Sequence, residues 1–288
     1  MSLTVTIKQK AIIKRQLPVV DILTSDGFGY GSYEDDSWRL EKGKVKNHSL
    51  ILFDTRNLAR GIKASWDEEG LIKIDLKLMM PTGEQEIHSF YSLVQMISEF
   101  WKAEIEVDGR SQSLDDFVFG MRSTIVENER IFYQMRDDIL RKGGVYFLTC
   151  ALWPLNFGPH EASQFDDPQL FEEWMHEKQR IDAYYAIPHF YRESSGDVHG
   201  SLILSSDTRT ILPAIPEIPQ GKGMNFTCSE FLMNIFSTPK RQILYRMDYQ
   251  RFIKLLPENL IKYYDATNFL LEGISEQDLI EYFGQEQN

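Results

Sequence analysis

The chain has 288 residues, of which 42% are hydrophobic and 26% are charged. These proportions are typical of globular proteins and exclude a disordered chain as the default expectation. Because the formal net charge is −12, the surface repels phosphates, and we expect neither nucleic acid nor a membrane as a partner.

The cysteines and the start of the chain predict the compartment. Cys150 and Cys228 are the two cysteines, too few for a disulfide framework or a cysteine-rich metal site. Residues 1–9 carry no charged leader before an apolar core, and no apolar run reaches the ~20 residues of a membrane span. We therefore expect a cytoplasmic protein.

The first half of the chain predicts a sheet covered by helices. Residues 61–66 and 71–80 form a hairpin whose second arm alternates apolar and charged side chains, the pattern of a sheet with one wet face. Pro81 ends this arm, and a helix follows to about Trp101 because apolar residues recur at helical spacing. Ser113 then caps a long helical stretch that ends near Arg141.

The second half predicts another hairpin with helices around it. Residues 145–153 are nearly all apolar, as in a strand buried on both faces, and Asp167-Pro168 begins a helix. Residues 184–192 and 198–206 form the second hairpin. A capping pattern at residues 226–231 then predicts a helix from Cys228 to about Phe236.

These elements define an α+β fold in which mainly antiparallel hairpins pack against helices. We expect an N-terminal α+β lobe of residues 1–112, a helical connector of 113–142 and a C-terminal α+β lobe of 143–288. One compact body is the alternative.

The segment Gly221-Lys222-Gly223 is the first candidate site. It precedes the predicted helix start at Cys228, where free backbone N–H groups attract anions. The spacing of a nucleotide phosphate loop is missing, however, and the Glu230 carboxylate would compete for the same N–H groups. Lys222 and Gly223 are therefore candidates for a small-anion site, and an ordinary linker is the alternative.

Cys228 is the candidate nucleophile, because a helix start lowers the pKa of a thiol. His189 and His199, on the two arms of the second hairpin, are the candidate catalytic bases. If Arg192 pairs with Gly196, the two histidines face each other, and if Arg192 pairs with the next residue they lie on opposite faces. Two unrelated sheet histidines are the alternative.

Metal and cofactor motifs are sparse. Glu173 and His176 have the spacing that places two ligands on one helix face, but di-metal bundles need that element twice. We interpret this helix face as solvated and predict neither a metal nor a cofactor.

The turn Pro81–Gly83 joins a strand to a helix, yet Glu84 and Glu86 would repel an anion there, so we interpret it as a connection.

The segments RGIKASWDEEGLIKIDLKLMMPTGEQEIHSFYSLVQMI, at residues 60–97, and ILPAIPEIP, at residues 211–219, support a resemblance. The chain resembles an uncharacterised family of bacterial proteins of similar length, known only as a domain of unknown function. The resemblance covers nearly the whole chain. It implies a bacterial, cytoplasmic protein and supplies no catalytic residues.

For the function we expect a non-enzymatic binding or protein-interaction module with a protein partner. The reason is that no motif assembles a nucleophile, a base and an orienting group, or a complete set of metal ligands. The alternative is a small-molecule enzyme or ligand binder of the phosphate or acyl class, with its site near Lys222 and Cys228.

Overall fold

The computed structural model describes residues 1–9, 27–33, 40–45, 48–66, 73–218 and 226–284. These residues form two compact units, Met1–Arg180 and Ile181–Asn288. Most strand pairs are antiparallel, and helices pack on the sheets. The predicted α+β class is confirmed.

The first unit is built on an eight-stranded antiparallel sheet, called the large sheet, with the strand order β3-β2-β4-β5-β6-β1-β7-β8. Its strands are β1 (Ser2–Lys8), β2 (Phe28–Tyr33), β3 (Leu40–Lys42), β4 (Ser49–Asp54), β5 (Ile62–Trp66), β6 (Lys73–Met79), β7 (Glu104–Val107) and β8 (Arg110–Gln112). The hairpin of β5 and β6 is confirmed, with Ile62 opposite Leu78.

The helices of the first unit are α1 (Glu84–Trp101), α2 (Leu114–Phe119), α3 (Met121–Lys142), α4 (Pro159–Gln164) and α5 (Pro168–Arg180). The apolar stripe of α1 includes Ile87, Phe90 and Val94, which pack on the inner face of the large sheet. Ser113 caps α2, since its hydroxyl oxygen accepts a hydrogen bond from the Asp116 N–H. The two helix starts predicted for α1 and α2 are therefore confirmed.

One end of the outer face of the large sheet is covered by other residues of the first unit. Ile51 and Phe53 of β4 pack there against Ala151 and Leu152. The predicted strand of residues 145–153 is only partly present, as β9 (Tyr146–Leu148), paired with β10 (Leu155–Phe157). Tyr146 and Phe147 are exposed, so the apolar run there does not belong to a fully buried strand.

The long helix α3 belongs to the first unit. Its Phe132 side chain packs against Phe171 of α5, with 5.1 Å between the ring centroids, and against Phe157 of β10. Residues up to Arg180 therefore share a core with the helix predicted as a connector. The units divide after Arg180, whereas the sequence predicted a connector of residues 113–142 followed by a second lobe.

The second unit has two four-stranded sheets, with the orders β11-β14-β18-β17 and β12-β13-β15-β16. Their strands are β11 (Tyr184–Tyr185), β12 (His189–Arg192), β13 (Val198–Ser205), β14 (Thr210–Pro213), β15 (Glu230–Ser237), β16 (Gln242–Asp248), β17 (Ile261–Tyr263) and β18 (Asn268–Leu271). Helices α6 (Tyr249–Leu255) and α7 (Glu276–Phe283) complete it.

The helix predicted from Cys228 to Phe236 is wrong, because this segment forms strand β15. Phe231, Met233 and Ile235 alternate toward the core of the unit, a period of two that fits a strand. β15 pairs parallel with β13 and antiparallel with β16. Pairing on both sides satisfies the backbone N–H and C=O groups of β15, and the alternation buries its apolar side chains.

Candidate functional site

The connection between β6 and α1, residues Pro81–Gly83, is fixed from several sides. The side-chain amide of Asn128 on α3 accepts a hydrogen bond from the Thr82 N–H at 2.8 Å and donates one to the Thr82 carbonyl at 2.9 Å. Thr82 and Asn128 are both buried. A buried backbone unit paired at both ends leaves the connection little freedom to move.

Glu86 lies beneath the same connection and is buried, with only 3% of its surface exposed. Its carboxylate accepts hydrogen bonds from the Thr82 hydroxyl, the Gly61 N–H at 2.6 Å and the Arg60 N–H at 3.2 Å. Burial raises the pKa of Glu86 to about 7, and these donors with the Arg60 charge limit the rise. Glu86 therefore stabilises the interior beneath this connection and is not placed to contact a ligand.

Glu172 of α5 caps the start of α1. Its two carboxylate oxygens accept hydrogen bonds from the Glu84 N–H at 2.9 Å and the Gln85 N–H at 3.1 Å. The cap residue Gly83 has no side chain for this task. A Cβ atom at Gly83 would lie 2.5 Å from the Glu172 carboxylate, so the glycine permits the close approach.

A groove of about 500 Å³ opens above this connection, between the start of α1, α3 and α5. We call it the acidic groove, because the described residues of its walls include five carboxylates and neither lysine nor arginine; the five are Glu84, Glu129, Asp167, Glu172 and Glu173. Asn57, Gln85, Asn128 and Gln169 supply side-chain amides in the same walls. The groove is therefore negative and rich in hydrogen-bond acceptors.

The carboxylates of the acidic groove differ in how they are engaged. Glu172 caps α1, Asp167 accepts the Gln169 N–H at 2.8 Å, and Glu173 accepts the Gln169 amide at 2.9 Å. Glu129 is half-buried and, within the part of the chain that the structure describes, has no hydrogen-bond or ion-pair partner. A charge so placed favours a cationic ligand.

A second concavity, the Asp54 cleft, adjoins the acidic groove and shares Asn57 and Gln85 with it. Its volume is about 820 Å³. Asp54 lies in its wall, and the hydrogen bonds from Arg56 hold the pKa of Asp54 below its usual range. The Asp54 charge is thus largely compensated, in contrast to the walls of the acidic groove.

Three features that the sequence treated separately come together in the acidic groove. Thr82 of the strand–helix turn, Glu173 and His176 all line it. The His176 Nδ1 atom accepts a hydrogen bond from the Leu58 N–H at 3.0 Å, so this nitrogen fixes a loop. Among the described residues, no group of three or more His, Cys, Asp or Glu side chains could hold a metal ion.

The three candidate catalytic residues lie in the second unit, on or beside the β12–β13–β15 sheet. Arg192 pairs with Val198 and His189 with Ser201, so both registers considered from the sequence are wrong. In the observed register His189 and His199 share a sheet face without being opposite each other. His189 is exposed.

His199 and Cys228 both contact Glu230, but through different atoms. The His199 Nδ1 atom lies 3.0 Å from the Glu230 carboxylate, and the ring stacks on Tyr191 at 5.5 Å. The Cys228 thiol donates to the Glu230 carbonyl at 3.1 Å. Since Cys228 precedes a strand, the helix-dipole argument for a lowered thiol pKa does not apply there.

Lys222 and Gly223, the candidates for a small-anion site, lie outside the described residues. The residues that shape the acidic groove most, Glu129, Asn128 and Glu172, were not singled out from the sequence. The sequence shows only that these residues lie on the polar faces of helices α3 and α5. It does not show which element packs against each face.

Comparison with known proteins assigns the family. Residues 2–281 match the family model described as "Domain of unknown function (DUF4299)", so the chain belongs to this family. No curated protein and no solved structure is detectably similar to the chain. In the described ranges, the helices are too short or too polar to cross a membrane.

Proposed function

We propose that this protein is a protein-interaction module whose acidic groove binds a lysine- or arginine-bearing segment of a partner protein. The observation that carries the proposal is the composition of the walls: where the structure describes the chain, five carboxylates and neither lysine nor arginine surround about 500 Å³. A cation that enters the groove gains attraction from several charges at once.

The rigidity of the groove supports the same function. Its floor at Thr82 is held by Asn128, and the start of α1 is held by Glu172. A site that is formed before the ligand arrives loses less conformational entropy on binding. The side-chain amides of Gln85 and Gln169 add acceptors that can orient ammonium or guanidinium groups.

The size and charge of the groove favour a peptide over other cations. A volume of this size accommodates one or two long side chains with their apolar stems. The described residues offer no cluster of three metal ligands, which makes a dedicated metal site a weaker interpretation. A polyanion would meet the carboxylates and be repelled.

Isothermal titration with hexalysine tests the proposal, and hexaglutamate is the ligand of opposite charge. The variant pair Glu129→Gln with Glu173→Gln weakens binding of hexalysine about tenfold or more, because two groove charges are lost. Glu258→Gln with Glu281→Gln is the matched control, since it changes the net charge equally at exposed positions of the second unit. Equal weakening in both variants would refute a specific groove.

A further inference from the structure

Lys63 and Lys77 lie directly opposite each other on β5 and β6. Both belong to the outer face of the large sheet, in a row that continues to Ile51 on one side and to Thr4 on the other. Side chains directly opposite on neighbouring strands have Cβ atoms about 5 Å apart. The two ammonium groups can therefore meet on a common ligand.

This lysine pair has no ion-pair partner in the part of the chain that the structure describes. Among the described residues, neither ammonium group forms an ion pair or a hydrogen bond. Lys63 is half-buried, and burial together with the charge of Lys77 lowers the pKa of Lys63. Like charges placed opposite each other destabilise a sheet, so the pair costs stability in the protein alone.

Other lysines on this sheet face do have partners. Lys73 lies 2.9 Å from Asp75, and Lys8 lies 2.7 Å from Glu106. Asp75 is the carboxylate in the row next to the lysine pair, and it is engaged by Lys73 and by the Thr6 hydroxyl at 2.5 Å. The Asp75 carboxylate is therefore already engaged, and the Asp108 carboxylate beside Thr4 accepts the Thr4 N–H at 3.0 Å.

The residues that cover the neighbouring part of the sheet form a shallow step beside the lysine pair. Ile51, beside Lys63 in the row, is covered by Ala151 and Leu152. Lys63 thus lies beside the covered part of the sheet, in keeping with its half-buried state. A ligand on the pair would contact this step on one side and solvent on the other.

We propose that Lys63 and Lys77 bind a small oxyanion, in particular a phosphate group. A dianion neutralises both ammonium groups at once, whereas one carboxylate neutralises only one. The Thr4 hydroxyl, next in the row, can donate a hydrogen bond to the same anion. The site is separate from the acidic groove, because neither lysine lines that groove.

Thermal unfolding in phosphate and in chloride of equal ionic strength tests the site. Bound phosphate raises the Tm of the wild-type protein. Lys77→Gln and Lys63→Gln each raise the Tm in chloride, because the like-charge pair is removed, and each loses the additional rise in phosphate. Lys8→Gln, the same change at a paired lysine of this face, keeps that rise.

Phosphate also stabilises proteins by exclusion from their surfaces, and that contribution is common to the wild type and the variants. The phosphate-dependent difference between them therefore reports the site alone. Sulfate gives a similar rise and acetate a much smaller one. Equal phosphate-dependent rises in the wild type and in Lys77→Gln, or an equal rise with acetate, would overturn the proposal.

Discussion

Glu172 on α5 accepts a hydrogen bond from the backbone N–H of Glu84 at 2.9 Å, so a carboxylate from another helix caps α1. The cap joins the α5 side of the acidic groove to the start of α1. It also places a negative charge at the positive end of the α1 dipole, which stabilises both.

Glu172→Ala tests this cap. Its loss leaves two N–H groups of α1 without their acceptor, and a missing cap costs about 1 kcal/mol. We expect the free energy of unfolding in urea to fall by that amount. Glu173→Ala, which removes an exposed carboxylate from the same helix, changes it by less than about 0.5 kcal/mol. Equal losses in the two variants would contradict the cap.

Asn128→Ala removes the side chain that pairs with both ends of the buried Thr82 peptide unit. Each buried polar group left without a partner costs about 1 to 3 kcal/mol. We expect a loss of about 2 to 4 kcal/mol in equilibrium unfolding. A loss below about 1 kcal/mol would show that the connection finds other partners.

Glu86 makes stability depend on pH. Its pKa is raised to about 7 in the folded protein, against about 4.3 for an ordinary glutamate, so the folded state holds the proton more tightly. The stability that the protonated Glu86 carboxyl group contributes is fully present below about pH 4.3 and is lost as pH rises to about 7. Glu86→Gln therefore flattens this decline, measured as the difference between urea unfolding curves across pH 5 to 8.

The two cysteines differ in access to reagents. Cys228 is half-exposed and Cys150 is fully buried. Iodoacetamide should alkylate Cys228 in the folded protein and Cys150 only after unfolding, as mass spectrometry of the digested protein shows. Cys228→Ser abolishes labelling of the folded chain. Labelling of Cys150 under native conditions would mean that the core around it opens.

Sequence patterns were sufficient where local signals agree. For the β5–β6 hairpin and α1, alternation, the stop at Pro81 and helical spacing all indicate the same structure. At residues 228–236 the local capping pattern indicated a helix, but in the structure Phe231, Met233 and Ile235 alternate toward the core as in a strand. Pairing with β13 and β16 decided the outcome, and such pairing depends on distant residues.

The acidic groove could not be predicted for the same reason. Glu172 is 88 residues from its partner Glu84, and Asn128 is 46 residues from Thr82. Each lies on an amphipathic helix whose periodicity shows which face is polar and leaves open what that face meets. Only the packing of α3 and α5 around the start of α1 brings the carboxylates together.

The most direct measurement for the acidic groove is zero-length cross-linking of hexalysine with a carbodiimide, which joins an ammonium group to a carboxylate that it contacts. Peptide mapping by mass spectrometry should find the cross-links at Glu84, Glu129, Asp167 and Glu173. Cross-links spread over exposed carboxylates of both units, with Glu129 and Glu173 unmodified, would contradict the proposed groove.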